Sequence, residues 1–118
     1  MKKTDLETYL SEFPGAESSY PFGPEALVFK VMDKMYALVS QNEETPRVTL
    51  KCEPTYGEEL ITQFDSITPG YYMNKKHWIT LSLTGEVEAE LIKSLSSNSY
   101  QMIVSKFKKS EREQLQDR

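Results

Sequence analysis

Apolar residues at Leu6, Tyr9, Leu10 and Phe13 recur at i, i+3, i+4 and i+7, the spacing of one helical stripe. Thr4-Asp5-Leu6-Glu7 fits a capping box at its start, and Pro14-Gly15 ends it. Tyr20-Pro21-Phe22-Gly23-Pro24 combines too many fixed and free φ angles for regular structure and predicts a shaped loop. From Leu27 the period drops to two: Leu27, Phe29 and Val31 alternate with Val28, Lys30 and Met32. Asp33-Lys34 is a tight connection and Met35 to Ser40 the return strand, which predicts a hairpin. After the polar turn Gln41 to Pro46, a third strand sets Val48, Leu50 and Cys52 against Arg47, Thr49 and Lys51. Short connections between three consecutive strands predict an antiparallel meander.

The second half returns to helical spacing. Pro54 to Phe64 turns Leu60, Ile61 and Phe64 inward, with Gly57 weakening its first turn. Ile67 to Asn74 predicts a loop or short strand broken by Pro69-Gly70. His77 to Thr84 alternates, with Ile79, Leu81 and Leu83 opposite Trp78, Thr80 and Ser82. Two helical stripes follow, Val87-Leu91-Ile92-Leu95 and Tyr100-Ile103-Val104-Phe107, and Ser96-Ser97-Asn98 predicts a break between them. Ser110 to Glu113 predicts one more capping box, opening a polar tail. With no repeat or linker, residues 1–118 read as a single α+β domain. Its antiparallel sheet is a three-strand meander plus one or two further strands, with helices packed on one face, because only one parity of each strand is consistently apolar.

Composition narrows the function. The chain of 118 residues is 38% hydrophobic and 27% charged, a globular balance. Lys plus Arg number 14 against 18 Asp plus Glu, a net charge of −4, so any anion-binding surface must be a local patch. One cysteine and one histidine exclude a disulfide framework and a Cys-rich zinc module, and neither a metal nor a cofactor is expected. Apolar runs fall far short of the roughly 20 residues of a membrane span. The opening residues turn polar at once, so neither a secretory leader nor membrane association is expected, and the cytoplasm is the expected location.

The G-x-S-x-G elbow, the phosphate-binding P-loop and the dinucleotide fingerprint are all absent from the sequence, and a non-enzyme is expected. Glu86, Glu88 and Glu90 read as favourable charge near a helix start. Cys52 shares parity with Val48 and Leu50, which predicts a small core residue. A Cys52–His77 nucleophile pair would need the strand ends to meet and lacks a third, orienting group.

The densest chemistry lies in Pro69-Gly70-Tyr71-Tyr72-Met73-Asn74-Lys75-Lys76-His77-Trp78. Lysines there can meet phosphates, His77 adds donors, and aromatic rings can stack on a base. By strand parity Lys30, Arg47, Lys51 and Trp78 point away from the apolar side. Together with Lys75, Lys76 and His77 they form the candidate nucleic-acid-binding surface. Against it stand a Trp78 covered by the Pro21–Pro24 loop, a His77 bonded to a carbonyl, and lysines that merely guard a sheet edge. Lys106, Lys108 and Lys109 read as cations complementing a helix C-terminus. Two rivals remain open. One is docking of a protein partner or a second copy on the Trp78 face; the other is a small-ligand site or enzyme using His77 with Lys51 or Tyr71.

Several stretches occur in an order that resembles one family. They are Phe13-Pro14-Gly15-Ala16, Tyr20-Pro21-Phe22-Gly23-Pro24, Val28-Phe29-Lys30-Val31, Lys34-Met35-Tyr36-Ala37-Leu38-Val39, Leu50-Lys51-Cys52, Pro69-Gly70-Tyr71, Asn74-Lys75-Lys76-His77-Trp78 and Ser99-Tyr100. Together they resemble the MmcQ/YjbR-like family of small bacterial proteins over nearly the whole chain. The resemblance implies an α+β fold akin to secretion-chaperone-like domains and DNA binding through two β-hairpin wings. The chain departs from the family pattern at Tyr72, where His is common, and at Ile61-Thr62, where Leu-Arg is common.

Overall fold

A computed structural model describes residues 1–70 and 74–116 of the chain. In order, the elements are α1 (Lys3–Ser11), β1 (Ala16–Ser19), β2 (Ala26–Val31), β3 (Lys34–Ser40), β4 (Arg47–Lys51), α2 (Pro54–Gln63), β5 (Ile67–Pro69), β6 (Trp78–Ser82), α3 (Ala89–Val104) and α4 (Lys109–Gln116). The alternating segments pair as their period requires, and all neighbours are antiparallel in one six-stranded sheet of order β1-β2-β3-β4-β6-β5. Helices α1, α2 and α3 lie against the face that carries Phe29, Val31, Ala37, Val39, Val48, Leu50, Ile79 and Leu81, and those residues form the core with Leu6, Leu10, Ile92 and Leu95. The fold is α+β, as expected. Among the described residues no helix is long and apolar enough to cross a membrane.

The sheet has one more strand than the hydrophobic pattern predicts. Strand β1 is Ala-Glu-Ser-Ser, and apart from Ala16 its residues are exposed, so it joins the edge through backbone bonds to β2 rather than through an apolar face. The expected break in the last long helix is absent. Ser96 Oγ donates to the Ile92 carbonyl at 2.8 Å, and Ser99 Oγ donates to the Tyr36 carbonyl at 2.6 Å, so both hydroxyls are satisfied inside a continuous α3.

The two expected capping boxes also change. Helix α1 begins two residues early, at Lys3, with Lys2 at its N-cap and no side-chain cap. Glu7 is drawn instead to Gln41, whose side-chain amide donates to it at 2.7 Å. At α4 the Lys108 N–H donates to Glu111 at 2.9 Å, so the reach-back falls two residues before Glu113; Leu115 of the same helix is buried in the core.

A second departure from strict alternation has a use. Register shifts between Phe29↔Ala37 and Lys30↔Met35, which leaves Tyr36 as an extra residue in β3. The bulge lets consecutive residues Tyr36 and Ala37 both enter the core. Tyr36 Oη donates to the Leu10 carbonyl at 2.7 Å, and its ring meets Phe13 and Tyr100 edge-on. Tyr100 Oη donates in turn to the Pro14 carbonyl at 2.6 Å. This aromatic knot ties α1, β3 and α3 together and fixes where α3 crosses the sheet.

The face turned away from the helices is recessed rather than open. Val28, Leu38, Ser40, Thr49 and Thr80 are buried, yet Val28, Leu38 and the three hydroxyl residues lie outside the main core cluster. Leu38, Ser40, Thr49 and Thr80 line a groove that Phe22 of the Tyr20–Pro24 loop borders.

Candidate functional site

Register brings part of the predicted surface together. Lys51, the last residue of β4, stands directly opposite Trp78, the first of β6. The Cys52 N–H then donates to the His77 carbonyl at 2.8 Å, extending the pairing one step past the strands. Lys75, Lys76 and His77 occupy the turn that feeds β6, and all three are exposed. Asn74 builds that turn: its side chain accepts from the Lys76 N–H at 2.9 Å, and its carbonyl accepts from the N–H groups of His77 and Trp78 at 3.0 and 3.1 Å. Gly70 packs beside the strand so closely that a Cβ there would lie 2.7 Å from the Trp78 Cβ, and Trp78 itself is half-buried. Tyr71 and Tyr72 lie outside the described residues.

The remaining two candidates sit elsewhere. Arg47 is at the opposite end of β4, four residues or roughly 13 Å from Lys51 at strand rise. Its guanidinium forks onto Glu43, with Nε and Nη2 donating at 3.0 and 2.9 Å. Lys30 stands on β2, two strand spacings or about 10 Å from β4, and its neighbour across the ladder is Glu17. Lys51, Lys75, Lys76, His77 and Trp78 thus share one end of β4 and β6, while Arg47 and Lys30 belong to other parts of the sheet.

Lys106 joins the cluster from α3's side. The Lys51 N–H donates to Ser99 Oγ at 2.9 Å, which pins the end of β4 to α3 one turn and a half before that helix ends. The Lys51 ammonium is held below the usual lysine range by burial and then by the Lys106 ammonium beside it. Among the described residues the ion pairs are Lys3–Glu7 and Arg47–Glu43, and neither Lys51 nor Lys106 takes part in them. Sequence reasoning placed Lys106 at a helix end for its charge; the only hint of its nearness to Lys51 was the Ser99-Tyr100 pair, whose hydroxyls set the helix on the sheet.

Below Lys51 lies a cleft of about 360 Å³ between the end of β4, the first turn of α2 and the second half of α3. Glu53 at its mouth caps α2, accepting from the N–H groups of Thr55 and Tyr56 at 3.2 and 3.0 Å. Those bonds hold its carboxyl below the usual range. Cys52 is buried in the same wall, and burial, with Glu53 next, pushes its thiol up, which is opposite to nucleophile activation. Cys52 and His77 meet through backbone atoms, and the histidine side chain is exposed. Among the described residues no three His, Cys, Asp or Glu side chains converge as a metal site.

The recessed face forms a second concavity of about 760 Å³, with Phe22, Ala26, Met35 and Leu38 as apolar walls and Ser40, Thr49 and Thr80 in its floor. Thr49 and Thr80 hydroxyls bond each other at 2.9 Å, and Ser40 Oγ accepts from the Arg47 N–H at 2.8 Å. Each hydroxyl of the floor thus has a partner within the protein.

The pattern of the YjbR family matches residues 11–102. The chain belongs to the YjbR family. It is 39% identical over 95 residues to the uncharacterised protein YbdF of Escherichia coli O157:H7, covering 79% of this chain and 76% of that one. It is 35% identical over 105 residues to the uncharacterised protein YjbR of Escherichia coli K12, covering 89% of each. A crystal structure of a Deinococcus radiodurans protein superposes with a TM-score of 0.89 at 43% identity, over 96% of this chain and 86% of that one. A Pseudomonas syringae crystal structure superposes at 0.76 with 28% identity, over 86% and 98% of the two chains. The family match spans the aromatic knot, the turn at Asn74 and the Ser99 bridge, the features that assemble the lysine end of this YjbR fold.

Proposed function

We propose that this YjbR-family protein binds nucleic acid weakly, through its phosphates, at the end of the sheet where Lys51, Lys75, Lys76, His77 and Trp78 meet Lys106. The observation that carries the reading is the register that sets Lys51 opposite Trp78 beside the exposed turn of Lys75, Lys76 and His77, with the Lys106 ammonium further disfavouring the Lys51 charge, a repulsion that a nearby anion relieves. Exposed Lys76 and His77 extend the positive region along the turn, and the half-buried indole gives it an aromatic border. An acidic chain overall requires such a patch to be local, and contact with the phosphate backbone alone carries little base specificity.

Duplex DNA titrated at two salt concentrations tests the reading. About four neutralised phosphates give a slope of log K against log salt near −3.6, or roughly a hundredfold loss between about 50 and 200 mM. Lys75→Ala with Lys76→Ala should lower that slope by about 2. No binding at low salt, or binding unchanged in the double variant, refutes the proposal. The exposure of Phe22, at 70%, beside the large groove favours a second reading, docking of a protein partner there rather than at Trp78. In that case Phe22→Ser would abolish the association and the lysine variants would leave it intact.

A further inference from the structure

The cleft beneath Lys51 has a division of labour that a flat basic patch lacks. Lys51, Asn98 and Gln101 bring polar side chains to its lining, and Tyr56 and Met102 bring apolar surface, while the Ser105 hydroxyl is spent on the Met102 carbonyl at 2.8 Å. The volume of about 360 Å³ falls in the range of small-ligand sites. Asn98 and Gln101 have no side-chain hydrogen bond among the described residues, so their amides are available to a ligand. Ser99 holds the backbone of Lys51 against α3, and Lys106 stands just past the end of that helix, near enough to Lys51 to disfavour its charge. The adverse group is Glu53, whose carboxylate is occupied by two backbone donors of α2.

We infer that this cleft is a site for a nucleotide carrying a terminal phosphomonoester, with the phosphate between Lys51 and Lys106 and the base against Tyr56 and Met102. A phosphomonoester carries about −1.5 to −2 charges near neutral pH and offers three acceptor oxygens, whereas a backbone diester carries one charge. Two ammonium groups and neighbouring amides match the former better. The choice of a nucleotide rests on the nucleic-acid reading above; the anion-binding geometry does not. The ligand is either a free mononucleotide or the phosphorylated end of a strand, and both present the same group.

The test titrates the full chain with deoxyadenosine 5′-monophosphate, with deoxyadenosine, and with one single-stranded oligonucleotide bearing either a 5′-phosphate or a 5′-hydroxyl. Amide shifts of residues 98–105 report the cleft. The inference expects saturable shifts with the monophosphate and none with the nucleoside. It also expects a tenfold or greater weakening in both Lys51→Gln and Lys106→Gln, and no change in Lys34→Gln, an exposed residue at the start of β3. Lys106 is exposed, so its variant tests the site even where Lys51→Gln disturbs the strand end. Tighter binding of the 5′-phosphorylated strand supports the strand end as ligand; monophosphate binding with no difference between the strands supports the free nucleotide. Absence of shifts with both phosphorylated ligands overturns the inference, as does a Lys106→Gln protein that binds normally. Salt-dependent duplex binding with no response to the monophosphate or the 5′-phosphate overturns the cleft and leaves the surface reading; monophosphate binding without duplex binding does the reverse.

Discussion

Replacing Ser99 by Ala removes a single oxygen that joins three elements. Its hydroxyl donates to the Tyr36 carbonyl at 2.6 Å and accepts from the Lys51 N–H at 2.9 Å, and the residue is fully buried. Alanine leaves almost no cavity, so the cost is that of stranded polar groups. A buried donor or acceptor without a partner costs about 1–3 kcal/mol, and two weakened groups put Ser99→Ala at about 2–4 kcal/mol. Unfolding entropy of about 2.1 cal/mol/K per residue over a chain of 118 gives roughly 0.25 kcal/mol per kelvin, so about 3 kcal/mol lowers Tm by about 12 °C. Thermal melts followed by circular dichroism, and urea melts followed by fluorescence of the single tryptophan, measure it. Ser97→Ala, two residues earlier in α3 and only half-buried, should shift Tm by no more than about 2 °C. A Ser99→Ala melting point equally close to wild type would refute the bridge as the clamp between β4 and α3.

Alkaline pH gives an independent check on the core. Burial pushes up both the Cys52 thiol and the Tyr36 phenol, so the unfolded chain releases these protons first, near their ordinary values of about 8.5 and 10. Stability from these groups is present below those values and falls as pH rises above about 8.5. Urea midpoints measured up to pH 10.5 should decline, and Tyr36→Phe should be less stable at pH 7 by about 1 kcal/mol yet show a shallower alkaline decline; parallel profiles would contradict this. Gly70→Ala puts a Cβ 2.7 Å from that of Trp78, and an overpacking cost of about 1–3 kcal/mol with altered tryptophan emission is expected; an unchanged melt would show that the approach is not tight. Glu53→Ala should lower the melting temperature and Glu53→Asp should lower it less, because the carboxylate caps two N–H groups of α2; equal losses in both would argue against the cap.

Much of the scaffold was legible because apolar side chains record which way a strand faces. Alternation alone placed Ile79 and Leu81 in the core and Trp78 with Thr80 on the other side, as the pairing of β4 with β6 has it. Strand β1 left no such record, since three of its four residues are polar and exposed. The Tyr36 bulge was hidden for the opposite reason: a period-two reading must assign Tyr36 and Ala37 to different faces, and the extra residue cancels that rule. Ser96-Ser97-Asn98 suggested a helix break, but the Ser96 hydroxyl returns to the Ile92 carbonyl of its own helix, and the Ser99 hydroxyl beside that stretch reaches the Tyr36 carbonyl of β3, a tertiary contact. For the candidate site, strand neighbours such as Lys51 and Trp78 could be inferred, whereas Lys106 meets Lys51 only because α3 crosses the sheet at that point. Arg47 shows the limit of parity: its backbone lies on the same strand as Lys51, and Glu43 captures its guanidinium.

The most direct measurement of the central claim is amide chemical-shift mapping of the protein against a short DNA duplex at low salt. Binding at the lysine end should move Lys51, residues 74–78 and residues 101–108 together, and the shifts should collapse as salt is raised. Shifts confined to Phe22, Ala26, Leu38 and Thr49 would place the contact in the groove on the far side of the sheet, and an unperturbed spectrum would leave the lysine end without a nucleic-acid ligand; either result contradicts the account.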